Sequence, residues 1–204
     1  MNAPFQPGRG FRDPVLGPQV VFRAVLQAMS RPGRPTTLQP QGVSGPSVAP
    51  ATALAILLAL CDYETPVWLD EEWRGSALRP WLAFHCGAPM AREPNEAAFG
   101  ILRAASGPAG LARFAQGDAR YPDRSTTLLA LCDDFESGPR LSVEGPGVQS
   151  REMIAPAGLP EEFLRDATDN AALFPRGVDV LLVAHDRIIG LPRTSRLTLA
   201  GENA

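Results

Sequence analysis

Residues 125–132, STTLLALC, set hydroxyl-bearing side chains ahead of five consecutive apolar ones. Successive side chains of a strand point to opposite faces, so a strand apolar at every position is one covered on both sides. The stretch 174–197, FPRGVDVLLVAHDRIIGLPRTSRL, reads as two more strands joined by a tight polar turn at His185, Asp186 and Arg187. Between such runs lie segments of helical period. The architecture this predicts is an α/β sandwich of three layers, α/β/α, and the short hairpin link makes its sheet mixed.

The periodic segments follow one another from the start of the chain. Asp13-Pro14 predicts a helix start, an oxygen acceptor before a proline at the first helical position. Phe22, Val25, Leu26 and Met29 then recur at i, i+3, i+4 and i+7, which predicts that they form the core face, with Arg23, Gln27 and Ser30 opposite. Arg31-Pro32-Gly33 stops that helix, and residues 35–38 suit a short strand. After a loop at 40–50, residues 51–61 are apolar all round and predict a buried helix; PVWLD predicts a buried strand. Further helices are expected at 76–86, with Trp81, Leu82 and Phe84 inward, at 108–117 and at 160–174. Further strands are expected at 96–104 and in RLSVEGPG, which ends on the turn Gly145-Pro146-Gly147.

At 204 residues the chain is read as a single domain, 1–204. A formal charge of -3 offers no basic field for a nucleic-acid backbone. The longest apolar run, residues 53–61, falls short of the roughly 20 residues a membrane crossing needs. The first residues, MNAPFQPGRGFRDP, lack the apolar stretch of a signal peptide, so a cytoplasmic protein is expected. Cys61, Cys86 and Cys132 are widely spaced, lack any C-x-x-C pair and sit in apolar segments, as structural thiols do.

All 19 cationic residues are arginine. Without lysine there is no Schiff base to pyridoxal phosphate and no P-loop lysine, so no cofactor is expected. Arginine forks suit carboxylate and phosphate recognition but do not act as bases near neutral pH. His185 is expected at a hairpin tip, and His85 at the end of a helix beside aromatics. Neither belongs to a metal-binding or triad pattern. Asp70-Glu71-Glu72 and Asp133-Asp134 follow predicted strands, where they could hold Mg²⁺ but read better as solvated loop carboxylates. Gly145-Pro146-Gly147 reads as a turn rather than an anion nest, since Pro146 lacks a donor.

Two short runs carry the functional question. Arg193-Thr194-Ser195-Arg196 leaves the last strand with two guanidinium forks around two hydroxyls, and Arg124 precedes Ser125-Thr126-Thr127 at the head of another strand. Forks and hydroxyls match a phosphate; arginines leaving a sheet also pair with carboxylates at a subunit seam. Composition does not choose between the two. Arg124, Arg193, Thr194, Ser195 and Arg196 are therefore the candidate ligand or interface contacts.

FRDPV with FRAVLQAMSRPG (residues 11–33), GPG followed by REMIAPAGLP (145–160), and FPRGVDVLL followed by LPRTSR (174–196) together resemble the H subunit of the carbon-phosphorus lyase system, in order and over nearly the whole chain. The resemblance implies a fold like the large domain of pyridoxal-phosphate transferases without the cofactor. It also implies a role in bacterial phosphonate use, in a core complex with the G, I and J subunits that joins methylphosphonate to the ribose of a nucleoside triphosphate. In that family the iron-sulfur and radical chemistry belongs to the J subunit, and no catalytic residue of the H subunit transfers here. Ser195 stands where the family's usual run has threonine. The expectation is a homodimeric subunit, not catalytic alone, against two alternatives: a self-sufficient Mg-dependent phosphoryl-transfer enzyme and a small-anion binding module.

Overall fold

The computed structural model describes residues 7–106 and 110–200. Helix α1 (Leu16–Ser30) leads to the two-residue strand β1 (Thr36–Thr37), the apolar helix α2 (Ala51–Leu60) and β2 (Val67–Leu69). One turn of helix, α3 (Glu71–Arg74), and α4 (Leu78–His85) precede β3 (Phe99–Arg103) and β4 (Thr127–Leu131). Then come β5 (Leu141–Glu144), β6 (Glu152–Ile154), α5 (Glu161–Ala172), the hairpin β7 (Asp179–Ala184) and β8 (Arg187–Leu191), and β9 (Arg196–Leu199).

Six strands form one mixed sheet in the order β1-β8-β7-β4-β3-β2, with β2, β3, β4 and β7 parallel and β8 antiparallel to both its neighbours. The apolar run of residues 125–132 supplies β4, at the interior of this sheet. Its Leu129 packs with Val21, Ile56 and Trp81 on one face, while Leu128 and Ala130 pack with Phe114, Phe163 and Val143 on the other. Both faces are thus sealed, as its unbroken apolar run requires.

The two covers differ. Helices α1, α2 and α4 supply the first face. The second is covered by α5 together with a separate three-stranded antiparallel sheet, β6-β5-β9, whose Leu141, Val143 and Leu197 point inward. The α/β class and the mixed sheet hold, but the second layer is part sheet. RLSVEGPG forms β5 of this smaller sheet, and β6 and β9 have no counterpart among the predicted strands.

Asp13 starts α1 as its oxygen allows: Oδ1 accepts the N–H groups of Val15 and Leu16, both at 2.8 Å. Those bonds hold its carboxyl below the usual carboxylate range. The inward face of α1 is not the predicted one, however. Gly17, Val21, Val25 and Ala28 are buried, whereas Phe22 and Leu26 are about half exposed, at 48% and 52%. The cause is the approach to β8: a Cβ on Gly190 would lie 2.4 Å from the Ala28 carbonyl oxygen. A helix seated that close admits only small side chains at the contact, so the large ones are turned aside.

Phe84 is likewise 66% exposed rather than inward; Trp81 and Leu82 alone of the predicted trio are buried. The helix expected at 108–117 is a single 3₁₀ turn at Leu111–Arg113, with residues 108 and 109 outside the described ones. Among the described residues no helix is long and apolar enough to cross a membrane.

Candidate functional site

Strand β8 belongs to the larger sheet and β9 to the smaller, so residues 192–195 carry the chain from one to the other. The crossing is a turn closed by the Ser195 N–H donating to Pro192 O at 2.8 Å. Arg193 projects from it into a ring of acceptors. Its backbone N–H and Nε donate to Asp179 Oδ1 at 2.8 and 3.1 Å, and Nη2 donates to Asp179 Oδ2 at 2.5 Å. Nη2 also donates to Ser125 Oγ at 2.7 Å, while Nη1 serves Pro122 O at 2.7 Å and Pro175 O at 3.3 Å.

A guanidinium has five N–H donors, and here each has an acceptor inside the chain. The Arg193 and Asp179 side chains are only 15% and 19% exposed, so this is a shielded, bidentate pair rather than a loose surface contact. It ties together the head of β7, the loop before β4 and the chain that follows α5. Neighbouring features are shaped to the clamp. Asn170 accepts from the Val178 N–H at 2.7 Å and donates to Val178 O at 2.9 Å. Gly177, at φ +129°, leaves room where a Cβ would sit 3.1 Å from the Arg193 Cβ. The Gly145-Pro146-Gly147 segment is a turn, its Val148 N–H bonded to Gly145 O at 3.1 Å, and it packs against the Thr194 carbonyl.

The other candidates occupy different settings. Arg124 is exposed, its guanidinium carbon 4.2 Å from the centre of the Tyr121 ring, and Arg120 approaches the same ring at 5.5 Å. The loop that Arg193 grips by Pro122 O therefore carries an arginine-flanked tyrosine at the surface. Thr194 is half-buried. Ser195 is 5% exposed with no hydrogen-bond partner for Oγ. Arg196 is exposed at the start of β9, level with Glu144 of β5. The structure thus brings Arg193 and the Arg124 loop together and sets Arg196 on the smaller sheet.

Beside Ser195 is a void of about 10 Å³ lined by Phe163, Ala167, Val180 and Leu197 among others. Ser195→Thr adds one methyl group there. The expected result is a gain of roughly 0.5–1 kcal/mol, the size of one buried methyl group, read as a higher midpoint in urea unfolding.

The histidines, acids and cysteines singled out in the sequence lie elsewhere in the fold. His85 Nε2 lies 2.6 Å from Pro7 O, and its ring packs on Trp81. His185 is the exposed hairpin tip, at φ +52°. Asp70 accepts from the Glu71 N–H at the start of α3, and Asp134 accepts from the N–H groups of Glu136 and Ser137. Burial pushes the Cys132 thiol up to about 12, and Cys61 and Cys86 are raised for the same reason, so all three are poor nucleophiles. No group of three or more histidine, cysteine or acidic residues able to hold a metal ion occurs among the described residues.

Sequence reasoning missed Asp179, though a signal was present. A two-residue turn at 185–186 pairs Val180 with Leu191, which puts Asp179 level with Pro192 and next to Arg193. An acid at the head of a strand otherwise made of apolar residues has to find such a cation or remain solvated.

Fold and site together describe an α/β protein whose most prominent arginine, on the crossing between two sheets, ties the head of β7 to the loop before β4. The chain belongs to the PhnH family of bacterial phosphonate metabolism proteins, whose model matches residues 9–198. It is similar to the alpha-D-ribose 1-methylphosphonate 5-triphosphate synthase subunit PhnH of Rhizobium meliloti (strain 1021), 38% identical over 187 residues, 92% of this chain and 93% of the relative. It also matches HtxG of Stutzerimonas stutzeri, whose name refers to a C-P lyase subunit, at 31% identity over 85 residues, 42% of this chain and 44% of that protein.

Proposed function

We propose that this chain is a subunit of the carbon-phosphorus lyase core complex in organic phosphonate breakdown. There it supports the formation of ribose 1-methylphosphonate 5-triphosphate from a nucleoside triphosphate and methylphosphonate. The observation that carries this is the 38% identity to a synthase subunit across 92% of the chain. The subunit acts in the cytoplasm, as one domain with the outline of a pyridoxal-phosphate transferase large domain, and is not catalytic alone. The structural occupations of His85, Asp70 and Asp134 support that last point.

Its partners in this reading are a second copy and the G, I and J subunits. The exposed side chains of Leu16, Val20, Phe22 and Leu26 on α1 support pairing between copies, because apolar groups of that size gain by leaving water. The surface of Arg120, Tyr121 and Arg124 supports contact with another subunit, being of the residue types that dominate interface energies. In this reading Arg193 presents that surface rather than touching the partner, and Arg196 is a separate contact on the smaller sheet.

The test is growth. A phosphonate-using bacterium lacking its own copy of this subunit should regain growth on methylphosphonate when given this chain. The Arg124→Ala variant should co-purify with the other subunits less well while melting at an unchanged temperature. Failure of the wild-type chain both to restore growth and to enter the complex would overturn the reading.

A further inference from the structure

The outer edge of β2 is only partly covered. The Val67 N–H donates to Pro89 O at 2.8 Å and the Ala91 N–H to Val67 O at 3.0 Å, a single bridge between Val67 and Met90. Past that bridge the chain turns off towards the 3₁₀ turn Pro94–Glu96, and a cleft of about 680 Å³ opens against the strand. Its floor is apolar, from Val67, Leu69, Ala83, Ala88 and Met90. Its polar walls are Arg74 at the end of α3, Arg79 in the first turn of α4, Arg92 just after the bridge, and Glu93.

Only some of the chain's arginines are held by a carboxylate. Arg34, Arg151, Arg165, Arg187 and Arg193 each sit against a carboxylate. Among the described residues Arg74, Arg79 and Arg92 are in no ion pair; Arg74 reaches only Leu69 O, at 3.5 Å, and the face of Trp68. Three cations against one glutamate line a single cleft on a chain whose formal charge is -3. Like charges gathered this way repel one another, and an anion between them would relieve that.

We infer that this cleft binds an organic polyanion of the sugar-polyphosphate class. Guanidinium forks match phosphate oxygens two at a time, so three of them suit a run of phosphates better than one. The volume is that of a ligand pocket and well beyond a lone phosphate. The apolar floor receives an uncharged body, and Glu93 can accept from hydroxyl groups. Narrowing the class to a ribose triphosphate rests on the subunit reading given above; the anion site itself does not.

Calorimetric titration of the full chain with inorganic triphosphate tests the site. The expected result is saturable binding that weakens as salt rises and falls roughly tenfold or more in the Arg79→Gln/Arg92→Gln double variant, with an unchanged melting temperature. A control pair on other surfaces, Arg113→Gln/Arg165→Gln, should bind as the wild type does. The inference is overturned by absence of saturable binding, by equal loss in both pairs, or by methylphosphonate binding as tightly as triphosphate. If the wild-type chain restores growth on methylphosphonate yet ignores triphosphate, the cleft reading fails and the subunit reading stands. Triphosphate binding by a chain that restores no growth separates them the other way.

Discussion

Arg193→Ala should lower the unfolding free energy by about 3 kcal/mol, the lower end of what removing one partner of a shielded ion pair does. For a chain of this length that corresponds to a fall of roughly 6–12 °C in melting temperature. The cost lies in what the truncation leaves behind. Asp179 loses the two hydrogen bonds it accepts from the guanidinium while staying four-fifths shielded, and Pro122 O, Pro175 O and Ser125 Oγ lose a donor together. The backbone N–H of residue 193 survives the change, which is why the loss stops short of complete unfolding. Arg193→Lys should recover only part of the stability, because an ammonium group keeps the charge but cannot serve five acceptor directions from a planar fork. Urea unfolding of the wild type, Arg193→Ala, Asp179→Asn and the double variant would give the coupling energy. An unchanged midpoint combined with lost complex assembly would instead make Arg193 a direct contact.

Gly190→Val should be more damaging still, by about 4 kcal/mol or more, in the range reserved for a forced clash in the core. The obstacle is backbone, not a side chain that can swing away: the Ala28 carbonyl carbon and oxygen lie 2.5 and 2.4 Å from the position a Cβ would take. To make room α1 must lift from β8, which exposes Val21, Val25 and Ala28 together. Gly33 would also be displaced, since its N–H donates to Gly190 O at 3.2 Å. The readouts are loss of soluble yield and of near-ultraviolet circular dichroism. Gly75→Ala is the matched control: at φ -91° with nothing within 4 Å of the new methyl group, it should be neutral or slightly stabilising.

These two positions also mark what the sequence makes legible and what it does not. The interior strands were readable because burial on both faces leaves an unbroken apolar run, as in Leu128 to Leu131. The stop at Pro32 and Gly33 was readable because it is local backbone chemistry, and Gly33 takes φ +79°. The face of α1 was not. A periodicity count ranks Phe22 and Leu26 above Gly17 and Ala28, and only the close seat on Gly190 reverses that order. The smaller sheet was also hidden, because β6 is three residues long and β9 follows the hairpin after only four, so neither announces a separate partner. At the candidate site the arginines were visible as residues, but their acceptors come from segments up to 71 positions away, and no local pattern couples Arg193 to Pro122. The cleft of Arg74, Arg79 and Arg92 was invisible for the same reason.

The shortness of the outermost strands limits how the six-stranded sheet can be extended. β1 offers two residues and β2 three, the latter set between Pro66 and Asp70. A foreign chain seeking to extend the six-stranded ladder would gain few hydrogen bonds before meeting a residue without an N–H or a hydrated carboxylate. Growth of the six-stranded sheet at either margin is thus opposed by brevity rather than by charge.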